Sequence, residues 1–150
     1  MNGMTITGAK ELEKKLDALE RKVGRSISRK AARAGAKVVQ AEAKSNARTM
    51  VGGNFGRLLA RKIVVRTPRR QRRGSYSLDV QTQPIEKFPE AEHVTREGKR
   101  YYIPAVIEYG HGNARAIPYM RRAWDTTREK ALAAIVKALR TGIEQATRRK

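Results

Sequence analysis

The chain contains no cysteine, only two histidines (His93 and His111), and 14 acidic residues against 34 lysines and arginines. Without thiols there are no disulfides, thiolate metal sites or cysteine nucleophiles, which argues against a secreted disulfide scaffold. The two imidazoles stand eighteen positions apart, and Glu108 is the sole acid close before His111. Those are too few ligands for a metal site, and Glu108 and His111 read more simply as an exposed acid–base pair beside a turn. No stretch of about 18 apolar residues occurs, and Met1 to Ile6 lacks the basic and apolar regions of a signal peptide, so a soluble protein made inside a cell and without membrane contact is expected. There is no Gly-x-Ser-x-Gly elbow, and Val51-Gly52-Gly53-Asn54-Phe55-Gly56 lacks the Gly-Lys-Ser/Thr ending of a phosphate loop. The expectation is a protein that is not an enzyme and takes no metal or cofactor.

Large apolar side chains are scarce too. Leu, Ile, Val and Phe together make 29 of 150 residues, and the net charge is +20. That places the chain close to the boundary where charge favours disorder, so a lone subunit is expected to be marginal and to gain from burial against neighbours. The length suits one domain spanning 1–150.

What is present is mostly helical. Leu12, Leu16, Leu19 and Val23 recur at helical spacing, predicting a first helix from Gly8 to Val23, broken by Gly24. Ile27, Ala31, Ala34, Val38 and Ala41 continue the period to about Ala47 as a second helix with a small-residue face. Pro118 opens a long last helix whose apolar positions are Leu132, Ile135 or Val136, Leu139 and Ile143, with Trp124 on an earlier turn. Ile63-Val64-Val65 and the alternating Tyr76, Leu78, Val80 and Thr82 predict two antiparallel strands, and Tyr101-Tyr102-Ile103 a third. Ala105 to Gly110 reads as a short helical turn or a strand end. Flexible loops are expected at about 48–56, 67–74 and 83–100. The fold class expected is α+β, a small antiparallel sheet with a long basic hairpin, packed against two N-terminal helices and one long C-terminal helix.

Positive charge is concentrated. Arg57 to Arg73 holds eight Lys/Arg and no acid, and Arg21 to Arg48 holds nine with only Glu42 opposing. Such fields attract phosphates or acidic protein faces. The aromatics lie away from them in sequence, so no interleaved stacking platform accompanies the charge. Arg69, Arg70, Arg72 and Arg73 at the hairpin tip are the residues expected to meet a partner or DNA.

Two segments carry a resemblance. Ile6-Thr7-Gly8 with the leucine helix, Ala43 to Asn46 and Gly56-Arg57-Leu58 open the chain, while Ile107-Glu108-Tyr109-Gly110 and Ile117-Pro118-Tyr119-Met120-Arg121-Arg122-Ala123-Trp124-Asp125 stand in its closing half. Together they resemble the gene-10-like neck or tail-completion group of the Hong Kong 97 phage and its relatives. His111 stands where that group usually has Thr, and Arg122 where it has a second proline. The resemblance implies a virion component of a long-tailed phage neck, assembled in the host cytoplasm. Its partners would be copies of itself in a sixfold or twelvefold ring, connector and head-completion proteins, tail-terminator or tube proteins, and genomic DNA in the channel. Glu108, Tyr109, Gly110, Pro118, Tyr119, Met120, Arg121 and Trp124 would then be structural or interface residues, with Met120 and Trp124 expected in the core. The competing reading is a non-specific nucleic-acid-binding protein that uses its Arg/Lys-rich surface.

Overall fold

A computed structural model describes residues 8–19, 21–71 and 76–148. The elements in order are α1 (Ala9–Asp17), α2 (Arg21–Asn46), a π-helical turn (Ala47–Val51), α3 (Gly53–Lys62), β1 (Ile63–Arg66), β2 (Asp79–Thr82), two 3-10 turns (Ile85–Lys87 and Pro89–Ala91), β3 (Glu92–Val94), β4 (Arg100–Tyr102), α4 (Ile103–Tyr109) and α5 (Tyr119–Arg148). The fold class is α+β as expected, with the strands in two separate antiparallel pairs, β1–β2 and β3–β4.

The antiparallel pair α2–α5 is the spine. α2 buries Gly24, Ile27, Ala31, Gly35, Val39, Ala43 and Asn46, a stripe with a step of three or four residues. At Gly35 a methyl group would lie 2.6 Å from Ile135 Cγ1, and at Gly142 one would lie 2.8 Å from Ile27 Cγ2. Glycines on both helices thus let the backbones approach, and each receives an isoleucine from the other. Of the positions the period selects, Ile27 and Ala31 lie on this face, but Ala41 is exposed and Ala34 and Val38 are only half-buried, Gly35, Val39 and Ala43 taking their places. The phase is set by which glycine faces Ile135, and hydrophobicity alone does not register a glycine.

Gly24 does not break the first helix. The break falls after Asp17, and Gly24 lies buried inside α2, where its α-carbon side faces the Leu16 carbonyl at 3.5 Å from an added methyl. The loop expected at 48–56 is likewise a π turn followed by the start of α3. Gly52 has φ 70 and ψ −173, a conformation open essentially only to glycine. An added methyl at Gly56 would lie 2.5 Å from the Ala47 carbonyl oxygen. These glycines serve a tight re-entry that seats α3 against the end of α2.

The main core forms there: Ala43 and Ala47, then Leu59, Ala60 and Ile63, with Phe88, Ala91, Tyr119 and Ala123 closing over them. Fully burying Leu59, Ile63 or Phe88 contributes about 1.5–3 kcal/mol each. The Phe55 and Phe88 rings stack with centroids 5.9 Å apart. In β1–β2, Ile63 faces Thr82 and Arg66 faces Asp79, so the paired part of the second strand begins at Asp79 and not at Tyr76. The third expected strand is β4; Ile103 leaves it to begin α4. Within 83–100 lie both 3-10 turns and β3, which pairs Glu92 with Tyr102. The Tyr102 hydroxyl donates to the Gln83 carbonyl (2.6 Å) and meets Thr82 Oγ1 (2.7 Å), linking the two strand pairs.

Candidate functional site

The segment 103–124 is built around one buried carboxylate. α4 is a seven-residue helix with Pro104 in its first turn, and it stops at Gly110, whose φ of 75 and ψ of 164 suit only glycine. An added methyl there would meet the Ala114 carbonyl at 2.8 Å and the Ala116 nitrogen at 3.1 Å. The chain turns back through a bridge between His111 and Ala114, and the Ile117 N–H donates to the Ile107 carbonyl at 2.6 Å. That return sets the start of α5 over the Glu108 side chain.

Glu108 is only 4% exposed. Its Oε2 accepts the Met120 N–H (2.9 Å) and its Oε1 accepts both the Arg121 N–H (3.0 Å) and Arg121 Nε (3.1 Å). The N-terminal amides of a helix have no partner within it, and the helix dipole favours an anion at that end. Glu108 therefore caps α5 from a different element. Arg121 closes the ring of contacts by donating from Nη2 to the Glu108 carbonyl at 2.7 Å, and its guanidinium lies 5.1 Å from the Tyr109 ring centroid. From the other side, Asn46 Nδ2 donates to the Tyr119 carbonyl at 3.1 Å and ties the end of α2 to the same point. Tyr119 is buried, and burial, reinforced by the Glu108 charge, pushes its phenol well above the usual tyrosine range.

The residues singled out in this segment thus divide. Glu108, Gly110, Tyr119 and Arg121 build the clamp, the Pro118 carbonyl accepts the Arg122 N–H at 3.1 Å just before α5, and Met120 packs half-buried against the core. Trp124, expected in the core, is 56% exposed, and Tyr109 is 69% exposed. Tyr119, Ala123 and Thr127 form the buried stripe of this helix end, so the residue after Ala123 is carried about 100° round, onto the outer face. The weighed pairing of Glu108 with His111 does not form: Glu108 is committed to α5, and the His111 ring sits against Tyr101 at 4.9 Å.

Trp124 stands at the rim of an open groove of about 1380 Å³ between α2, α5 and the β2 side of the hairpin. Ala32 and Ala36 of α2, Leu132 and Ile135 of α5, and Leu78 and Val80 contribute its apolar lining, while Asp79, Asp125 and Glu129 add acid and Arg121 and Arg128 add base. Among the described residues β2 pairs with β1 alone, so its other edge carries no strand partner. Arg69 and Arg70 are exposed beyond β1, while Arg72 and Arg73 lie outside the described residues. A second concavity, of about 780 Å³, is basic and runs along α2; sequence reasoning counted its charges but assigned the role to the hairpin tip.

Among the described residues no helix is long and apolar enough to cross a membrane. No curated protein and no solved structure is significantly similar to the chain. Residues 10–84 match the family model HK97-gp10_like, described as "Bacteriophage HK97-gp10, putative tail-component". The match runs from α1 to the end of the β1–β2 pair and stops before the Glu108 clamp, although the closing segment carries the more specific part of the resemblance in sequence. With half of its length matched, the chain belongs to the HK97-gp10-like family of bacteriophage tail components.

Proposed function

We propose that the chain is a structural, non-catalytic subunit of the neck of a long-tailed phage, forming as a single domain a ring of sixfold or twelvefold symmetry between the head-completion proteins and the tail. The observation that carries this is the Trp124 groove. An exposed tryptophan beside an apolar concavity and an unpaired strand edge is a surface that gains by being covered. A ring repeats one heterologous contact, so each subunit needs one such groove and one face that fills it. The charges of both signs around the groove, Asp79, Asp125 and Glu129 with Arg121 and Arg128, set the register of that contact with the next subunit.

Native mass spectrometry of the purified protein, with electron microscopy of the same sample, tests this. Closed rings of six or twelve copies are expected, and Trp124→Ser is expected to return them to monomers whose melting temperature matches that of unassembled wild type. A chain that stays monomeric when concentrated and is missing from purified particles would overturn the reading.

A further inference from the structure

The basic concavity along α2 is a site in its own right. Lys22, Arg25, Arg29 and Arg33 follow one another at steps of three and four, and Lys30 stands beside them. On a straight helix this row is about 16 Å long, from 1.5 Å of rise per residue. Its opposite wall comes from the hairpin, as Thr67 and Tyr76, and the Arg29 guanidinium lies 5.7 Å from the Tyr76 ring centroid. Among the described residues no Asp or Glu lines it. A solvated helix face of an ordinary protein mixes both signs; here five cations share one walled concavity that no described Asp or Glu lines.

We infer that this groove binds the phosphodiester backbone of double-stranded DNA. A 26-residue helix holds the cations in a fixed row, which suits a regular, rigid ladder of charge. Duplex DNA carries one charge per about 1.7 Å of axis, so it releases the most counterions per cation placed against it. Single strands are bound through free aromatic faces together with charge, and here the one aromatic ring of the groove is engaged by Arg29. Contacts to phosphates carry no sequence information, so the binding is indifferent to sequence. The inference goes beyond the ring reading and does not depend on it.

The test is fluorescence anisotropy of a labelled DNA duplex across a salt series. The variant Lys22→Gln/Arg25→Gln/Arg33→Gln keeps helix-forming residues and spares the Arg29–Tyr76 contact. Its control, Arg122→Gln/Lys130→Gln/Arg148→Gln, removes the same charge from exposed positions on α5. The α2 variant is expected to flatten the slope of log K against log salt by about 2.7 and to lose up to about 500-fold in affinity at about 0.1 M salt, while the control keeps the wild-type slope. Equal losses in the two variants would assign binding to bulk charge and overturn the inference, as would no loss in either. A labelled single strand, or inorganic polyphosphate as competitor, binding as tightly as the duplex and losing as much in the α2 variant would also overturn it, leaving a general polyanion groove. Circular dichroism melts of both variants check that loss of binding is not loss of fold.

Discussion

Replacing Glu108 by alanine removes both acceptors that the start of α5 uses. The Met120 and Arg121 amides, at 2.9 and 3.0 Å from the carboxylate, would lose their acceptors in a part-buried place. Loss of a helix cap costs about 0.5–2 kcal/mol, and a buried donor left without a partner costs about 1–3 kcal/mol. The ion pair adds less, because the Arg121 side chain is 55% exposed and solvent screens it to at most about 1 kcal/mol. The cap and the unpaired donors are the same bonds, so their ranges overlap and the whole change is about 2–4 kcal/mol, which for a chain of this length lowers the melting temperature by about 4–16 °C. Urea and thermal unfolding followed by circular dichroism measure it on the unassembled protein. Glu108→Gln, which keeps one good acceptor, should fall between wild type and Glu108→Ala, and Arg121→Ala should cost about 1 kcal/mol. If Arg121→Ala proves as costly as Glu108→Ala, the stabilisation lies in the ion pair and the capping argument fails.

Two further outcomes follow from the same segment. Gly110→Ala should destabilise by about 3 kcal/mol or more, because strained backbone and a 2.8 Å clash with the Ala114 carbonyl add together; Gly112→Ala, with φ 54 and open space around it, should cost about 1 kcal/mol, and equal effects in urea titrations would contradict the geometry. Tyr119 binds its proton more tightly folded than unfolded, so its contribution is fully present below pH about 10 and is lost as pH rises beyond it. Stability measured against pH should therefore fall on the alkaline side, less steeply in Tyr119→Phe; an unchanged alkaline slope in that variant would refute the assignment.

Much of the helical framework was legible because it rests on periodicity. The last helix announces itself by Pro118 and a stripe of aliphatics down to Ile143, and β1 by three β-branched residues between charges. Reading failed where glycine acts through shape. Gly24 and Gly52-Gly53 look like breaks in a string of letters, but one packs inside α2 and the others start α3. Trp124 failed for a different reason: a large aromatic on an amphipathic helix reads as core, and only the burial of Ala123 and Thr127 shows that the inward face lies elsewhere. Glu108 could be picked out as part of a motif, but its partners are backbone amides twelve and thirteen residues on, and these carry no signal of their own. The basic groove was half visible, since the step of its cations can be counted whereas Thr67 and Tyr76 reach it only through the hairpin.

The α2–α5 pair also bears on how the chain comes off the ribosome. Ile27 meets Gly142 and Asn46 meets Tyr119, so the spine joins segments separated by about 70 to 115 residues. At about 5–20 residues per second, α2 waits roughly 4–15 s between its own completion and the arrival of even the first turn of α5. Throughout that interval the part of its inward stripe that α5 alone covers is naked, and such exposed apolar surface is what draws nascent chains into aggregates. A stripe built chiefly from glycine and alanine offers little for another chain to grip, so the composition that lets the finished helices touch also keeps the unfinished protein from sticking.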